Sequence, residues 1–499
     1  MKKSSRNLYL EKLKGGLDQE DQDRIDVFFH ELSDQIDMPI LSRDLLVHHF
    51  VDAFSYYLEQ GKSTEEICEL MDYRFLGDFY QGDHRRSFSL DNAAIVYPLG
   101  MKYGQMPMFR MAAELKEDVQ PVLLQLAVDF TIKRFPSFSA VTKNGFFWHY
   151  LETVNHVSLI EEEKDIPCKP ISILLRGFRS FRVLYCGKRI SVEVFHAITD
   201  GSGAMVFLKT LVKEYLRLKE IDAKDDPEIP DINSPVDERE LVNEFNEAKE
   251  NASLSTFVDK RSIQLKGKIS RLNLTKITHF EMDAGRLHDT ARSYGGTITA
   301  YLLALLLIAS KDCVNQKEGV FNVQVPVNMR KFNGSRTLRN YSMYFNVTED
   351  LSKLPDKKEL VGDVSRQIAE KGSEKMMNQM MITTKKVIRS LCLVPLFLKI
   401  PLMQLVYAYL GNSIIAFTFS NLGVVKLPEG MKEAVRKLYF VFVPGPPNRI
   451  ATSLVTANGI SVFSIMRNSN DPTFEQRMYE LLEEDGLIEN TEGSVEYES

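Results

Sequence analysis

Apolar and polar positions alternate along residues 189 to 195: Ile190, Val192 and Val194 are apolar, Arg189, Ser191 and Glu193 polar. A period of two predicts a strand with one buried face. His196 shares the parity of the apolar set, so one more extended residue turns its imidazole inward. Asp200 and Gly201 break the alternation. From Ser202 the period becomes helical, with Met205, Leu208, Leu211, Val212, Tyr215 and Leu218 three or four apart. The order is strand, histidine, three residues, Asp-Gly, helix.

The same patterning divides the rest of the chain. Residues 1–85 read as a helical extension, with Ile25, Phe28, Phe29, Leu32 and Ile36 on one face and Leu46, Phe50, Phe54 and Tyr57 on the next. A third helix opens at Ser63 or Thr64 with carboxylates in its first turn. His48 and His49 have no partner motif and are surface and core residues. Residues 86–256 carry predicted strands at 94–97, 109–115, 171–176 and 181–185, and a helix over 119–134 that stops at Phe135-Pro136. Trp148, the lone tryptophan, reads as a core strand residue. Residues 219–256 are charged and proline-bearing, which marks a crossover ending the first half. Residues 257–486 form a second half, with strands at 277–283, 321–327 and 414–419 and a buried apolar helix ending at Ala309. Asn458-Gly459 between two alternating runs predicts a hairpin, a helix follows over 473–484, and residues 487–499 read as an acidic disordered tail.

Composition narrows the function. A chain of 499 residues with 44% hydrophobic and 26% charged residues holds two or three ordinary domains. Its net charge of -6 disfavours nucleic acid as a main partner, because phosphate backbones are held by clustered lysine and arginine. Five scattered cysteines without metal-ligand spacing fit a reducing, cytoplasmic setting, and no signal peptide is visible. No metal and no redox cofactor is implied. The Gly295-Gly296 turn lacks the lysine of a phosphate-binding loop.

Histidine takes and returns a proton near neutral pH, and a strand end fixed by a core holds a base in one orientation. Asp200 can lock the turn or pair with a buried cation, and Gly201 lets backbone or ligand approach. On spacing alone, a satisfied core histidine beside an ordinary Asp-Gly turn accounts for the stretch equally well.

His196-Ala-Ile-Thr-Asp200-Gly201 resembles the His-x-x-x-Asp-Gly motif of the coenzyme-A-dependent acyltransferase superfamily, which includes chloramphenicol acetyltransferase, plant BAHD acyltransferases, wax ester synthases and nonribosomal peptide condensation domains. Arg134-Phe135-Pro136-Ser137-Phe138, Pro326-Val327-Asn328-Met329-Arg330 with Arg339-Asn340-Tyr341, and Ser420-Asn421-Leu422-Gly423 resemble the bacterial alcohol acetyltransferase-like branch, so the likeness runs over residues 89–484. It implies an α+β fold of two chloramphenicol-acetyltransferase-like subdomains, mixed sheets with flanking helices around a central tunnel. It implies His196 as general base in O-acyl transfer from acyl-CoA, a co-substrate, to a small or lipid-like alcohol, with acetyl as the first expectation for the acyl group. Asp200 and Gly201 complete the motif, Arg330 is the expected partner of Asp200, and Ser420 and Asn421 are expected at the oxyanion or tunnel wall. Phe195 stands where condensation domains often have a second histidine, which favours free acyl-CoA. The alternatives are a carrier-protein-dependent, condensation-like protein and a non-catalytic binding or regulatory module.

Residues 390–411 are the most apolar stretch, interrupted by Pro395, Lys399 and Pro401. A mid-span lysine and two prolines argue against a transmembrane helix. Packing inside the protein is the expectation, with peripheral membrane contact as the second choice.

Overall fold

The computed structural model describes residues 10–82, 85–100, 106–171, 173–174, 177–247, 260–269, 276–316, 318–409, 412–445 and 448–493. The alternating stretch is a strand, Arg189–Phe195, in the middle of a sheet of five. The sheet order is Val435–Phe442, Met108–Leu115, Arg189–Phe195, Phe181–Cys186, Ile160–Glu162, antiparallel except for the last pair. Helices Pro121–Thr131 and Gly201–Leu218 pack together over it. The polar face of Arg189–Phe195 is also closed to solvent: Ser191 and Glu193 are fully buried. Arg110 and Arg182 neutralise Glu193 from neighbouring strands, and the second half of the chain covers that side. A buried carboxylate requires this pairing.

The N-terminal helices Gln19–Asp34, Ile40–Glu59 and Thr64–Leu70 share the core of this half. Asp18 caps the first helix through the amide of Asp21, and Ser63 with Glu66 forms a reciprocal capping box on the third. Phe28, Phe29, Phe50 and Phe54 stack edgewise or tilted, and Phe50 meets Phe130 at 5.7 Å. His49 is buried against Asp129, with Nδ1 and Oδ2 2.7 Å apart. Each buried phenylalanine contributes roughly 2–3 kcal/mol, so this extension is integral to the core.

The second half is built on a seven-stranded sheet ordered Ser342–Glu349, Phe321–Asn328, Phe417–Val424, Ile450–Ala457, Ile460–Arg467, Lys276–Asp283, Asn490–Gly493. Helix Ile298–Lys311 supplies a largely buried apolar layer beneath it, flanked by Lys357–Lys371 and Thr473–Glu484. Asn458 and Gly459 have φ of 51° and 79°, the positive values that a two-residue hairpin turn demands. A smaller sheet of Ser87–Ser89, His149–Thr153, Ala140–Asn144, Gly177–Arg179 and Ile173–Leu174 joins the first half. The architecture is therefore α+β, two sheet-bearing halves with flanking helices and a helical extension.

Four features depart from the patterning. Strand Val435–Phe442 lies after residue 257 in the chain, yet it pairs with Met108–Leu115 in the first half's sheet. Arg436 and Lys437 fasten it to Glu281 of the second sheet. The segment expected as a strand at 94–97 instead turns about Asp91, whose carbonyl accepts from the amides of Ala94 and Ile95, and becomes helix Val96–Gly100. The expected disordered tail contributes an edge strand, Asn490–Gly493, paired with Lys276–Asp283; residues 494–499 lie outside the described residues. Ser420 to Gly423 belong to strand Phe417–Val424 itself, with a register shift there. Of the strand expected over 171–176, Ser172, Leu175 and Arg176 lie outside the described residues.

Among the described residues, no single helix is long and apolar enough to cross a membrane. Ala284–Ser293 and Ile298–Lys311 meet the length and composition only as a pair bent by 76°, and the second of them is a core helix. No group of three His, Cys, Asp or Glu side chains among the described residues is placed to hold a metal ion.

Candidate active site

His196 leaves the central strand at its C-terminal end. Its backbone amide donates to the carbonyl of Pro107 at 3.0 Å, and the preceding Phe195 amide donates to Ser180 at 2.8 Å. The ring is clamped on two sides. Tyr97 stacks on it, centroids 4.5 Å apart and planes 16° from parallel, and Phe109 meets it edge-on at 4.9 Å. Burial lowers its pKa below the usual 6.5, opposed by the main-chain carbonyls of His196 and Thr199 and by the charge of Asp200. The imidazole is therefore neutral at neutral pH, the state a general base requires.

Asn340 lies against the histidine from the second half. Its side-chain nitrogen donates to the His196 carbonyl at 2.9 Å and lies 3.1 Å from Nδ1. Its oxygen accepts from the Ser342 hydroxyl at 2.9 Å, and its backbone amide donates to Asp91. With the proton on Nε2, Nδ1 accepts from Asn340. With the proton on Nδ1, Asn340 keeps only its bond to the His196 carbonyl, and Nε2 keeps a free lone pair. Only the second tautomer presents Nε2 as a base.

Asp200 does not touch the imidazole. One carboxylate oxygen accepts the amides of Ser202 and Gly203, both at 3.1 Å, and so caps helix Gly201–Leu218. The other accepts Arg330 Nη1 at 2.7 Å and the Tyr341 amide at 2.8 Å. Arg330 also donates to the carbonyls of Thr337 at 2.7 Å and Arg339 at 2.6 Å and to the Asn328 side chain at 3.1 Å. The structure thus joins Asp200 to Arg330 and ties the histidine loop of the first half to the 328–341 loop of the second.

Gly201 and Gly203 leave the room this junction needs. A Cβ on Gly201 would lie 2.9 Å from Leu422 and 3.3 Å from Met111. On Gly203 it would lie 2.1 Å from the Thr199 hydroxyl and 2.2 Å from the Leu338 carbonyl, a closer approach than any side chain tolerates. Asn328 donates to the Ser202 hydroxyl at 3.0 Å, and Thr199 donates to the Leu338 carbonyl at 2.5 Å, which add to the bonds of Asp200 and Asn340 in binding the halves here.

The Ser-Asn pair separates. Asn421 donates to Thr299 at 3.0 Å, at the start of the second half's apolar helix, and accepts the Gly423 amide at 2.7 Å. It therefore supports the strand and its turn. Leu422 reaches Gly201.

Tyr97, Phe109 and Asn340 were not singled out by the sequence. Asn340 lay within a recognised block, and its position two residues before a strand gave no role by itself. Tyr97 was hidden by the misread strand. Asp91 completes this shell: it pairs with Arg339 at 3.1 Å and holds the Asn340 amide at 3.2 Å, and burial raises its pKa to about 6 against the pull of Arg339.

A cavity of about 240 Å³ lies elsewhere, on the covered face of the first sheet, between Arg110, Glu114, Arg189, His279, Tyr439 and Glu492. Its lining does not include His196.

No protein-family model and no curated protein sequence matches the chain. Solved structures do. Trichothecene 15-O-acetyltransferase from Fusarium sporotrichioides superposes with a TM-score of 0.54 at 12% identity, covering 80% of this chain and 95% of that one. The first condensation domain of the calcium-dependent antibiotic synthetase, solved with a substrate analogue, gives 0.57 at 12% identity, covering 81% and 97%. The epimerization domain from the third module of tyrocidine synthetase B gives 0.51 at 12%, covering 81% and 96%. At this identity the likeness establishes architecture and leaves the reaction open, since these three proteins are named for three different reactions. The chain has the fold shared by condensation domains and coenzyme-A-dependent acyltransferases.

Proposed function

We propose that this protein is an acyltransferase that moves an acyl group, acetyl in the first instance, from coenzyme A to an alcohol hydroxyl, with His196 as general base. The observation that carries the reading is the division of labour between His196 and Asp200. The carboxylate is spent entirely on Arg330, Tyr341 and the helix amides. That leaves a neutral, aromatically clamped imidazole at the junction of the halves.

In this reading the acceptor hydroxyl gives its proton to His196 Nε2 as its oxygen attacks the thioester carbonyl. The tetrahedral oxyanion collapses, the carbon–sulfur bond breaks, and the leaving thiolate takes the proton back from the imidazolium. Ser420 is the proposed hydrogen-bond donor to the oxyanion. General-base catalysis of this kind contributes about 10²–10⁴ in rate. Holding donor and acceptor together contributes up to roughly 7–11 kcal/mol more. No nucleophile is assigned beside His196, so the reaction runs in a ternary complex without an acyl-enzyme.

The likeness to condensation and epimerization domains keeps a second reading of the donor, the same thioester carried on a carrier protein in place of free coenzyme A. The test is thiol release from acetyl-CoA and longer acyl-CoAs against a panel of alcohols, with an acyl-pantetheine-loaded carrier protein as a parallel donor. Acceptor-dependent release that collapses in His196→Ala supports the reading. Release from the carrier alone reassigns the donor. No release from either, with wild-type folding, supports the non-catalytic alternative.

A further inference from the structure

The stretch at 390–411 was expected inside the protein, and the structure puts much of it outside. Helix Leu396–Tyr409 packs on helix Val96–Gly100, which carries Tyr97. Lys399 lies on its inner side, wholly buried, with its ammonium bonded to the Phe147 carbonyl at 2.7 Å and 3.0 Å from the centre of the Trp148 ring. The mid-span lysine is thus taken up by the neighbouring hairpin. The outward stripe is apolar: Phe397, Leu398, Leu402 and Leu405 are 68%, 52%, 48% and 69% exposed. Phe146, 69% exposed, accepts the Leu396 amide through its carbonyl, and its ring meets that of Phe147 edge-on. A hairpin tip with two phenylalanines therefore continues the helix surface. A helix apolar on both its inner and outer faces is not finished by the fold that holds it.

Charge identifies what finishes it. From residue 375 to residue 428 there is no carboxylate, and beside the inward Lys399 there are five cations: Lys375, Lys385, Lys386, Arg389 and Lys426. The chain as a whole is at -6. Helix Glu374–Ser390 carries Lys385, Lys386 and Arg389 into the turn that precedes the apolar helix. Two copies pressed together through this face would bring like charges together. An anionic bilayer takes both features, the apolar stripe into the acyl boundary and the cations at the headgroups.

We propose that the protein docks on anionic lipid surfaces through Phe146, Phe147 and the outer stripe of helix Leu396–Tyr409, lying in the interface without crossing it. Docking would set the candidate active site beside the membrane, because the same helix rests on the one that carries Tyr97. The inference stands apart from the proposed chemistry, since vesicle binding is read without turnover.

The experiment uses the whole chain with vesicles of phosphatidylcholine alone and of phosphatidylcholine with phosphatidylglycerol. Trp148 is the only tryptophan and packs on Lys399 of this helix, next to Phe147 in the hairpin tip, so quenching of its emission by brominated lipid reports insertion at this face. Expected are flotation with the anionic vesicles, weakening in high salt, and bromine quenching. Leu398→Glu with Leu405→Glu lowers the affinity roughly 100-fold, two large apolar anchors being lost. Lys385→Gln, Lys386→Gln and Arg389→Gln together lower it on anionic vesicles by about fivefold per charge. Leu393→Glu, at the 80% exposed position in the turn before the helix, serves if the double variant fails to fold. No binding to either vesicle, or binding that all variants retain, overturns the proposal. Equal binding to neutral vesicles overturns its charge argument. A dimer that the double variant dissociates, without vesicle binding, assigns the face to a second copy of this chain.

Discussion

His196 and His279 invite comparison because both are enclosed histidines held below their ordinary pKa, yet their surroundings prepare them for different work. His279 sits within strand Lys276–Asp283, at the cavity between the halves, with Nδ1 2.8 Å from the Ser464 hydroxyl and its ring tilted 54° to Tyr439. Burial pushes its pKa down to about 3, with Arg189, Lys437 and Arg110 adding to the effect against Glu492. His196 stands at a strand end between two aromatic rings, and the nearest charge, Asp200, acts in the opposite direction. A histidine hemmed in by cations cannot hold a proton in an imidazolium intermediate. One walled by aromatic faces with a carboxylate at a distance can. Burial alone does not mark a base; the sign of the surrounding charge does.

The largest effect that can break this contrast is on turnover. His196→Ala is expected to lower kcat/KM by about 10²–10⁴, whereas His279→Gln changes it by less than about threefold. Comparable losses in both would remove the distinction. Next in size is Arg330→Ala, which strands the buried Asp200 carboxylate and is expected to cost about 3–5 kcal/mol of stability in denaturant unfolding. Arg330→Lys does not restore it, because one ammonium cannot reach Asp200 and the carbonyls of Thr337 and Arg339 together.

Acid stability sharpens the comparison from another side. Burial lowers the pKa of His149 to about 4 and of His279 to about 3. The unfolded chain therefore binds protons more readily, and these groups contribute stability that is full above about pH 6.5 and lost as pH falls toward 4 and 3. For His149 the span from 6.5 to about 4 corresponds to on the order of 3 kcal/mol, and His149→Gln should flatten the decline of unfolding free energy with falling pH by that amount in denaturant titrations. The smallest effect belongs to Asn340→Ala. It removes the donor that holds the His196 carbonyl in place and is expected to lower kcat about tenfold with KM within about twofold. Asn340→Ser, which keeps a donor, should recover part of that loss.

The site was legible where chemistry and local pattern coincide. Alternation set the parity of His196, the period change after Asp200 located the helix, and the structure joins Arg330 to Asp200 across 130 residues. Asn458-Gly459 likewise announced its hairpin through a conformation that few residue pairs adopt. What stayed hidden depends on distant partners. Strand Val435–Phe442 crosses to the other half, and no local signal tells a strand which sheet it will join. Tyr97 was lost to a four-residue run too short to separate a strand from a helix start. Asn421 matched a motif, but the partner it found was Thr299. The lysine in the apolar stretch was expected to be an obstacle, and a hairpin 252 residues away in the chain accommodates it.

The most direct test of the central claim is the pH dependence of kcat/KM for acyl transfer in the wild type and in His196→Ala. A neutral, desolvated base predicts a wild-type acid limb with its midpoint below pH 6.5, and a residual rate in the variant from which that limb has vanished. An acid limb that survives in His196→Ala, or a midpoint well above 6.5, would contradict the assignment of His196 as the base.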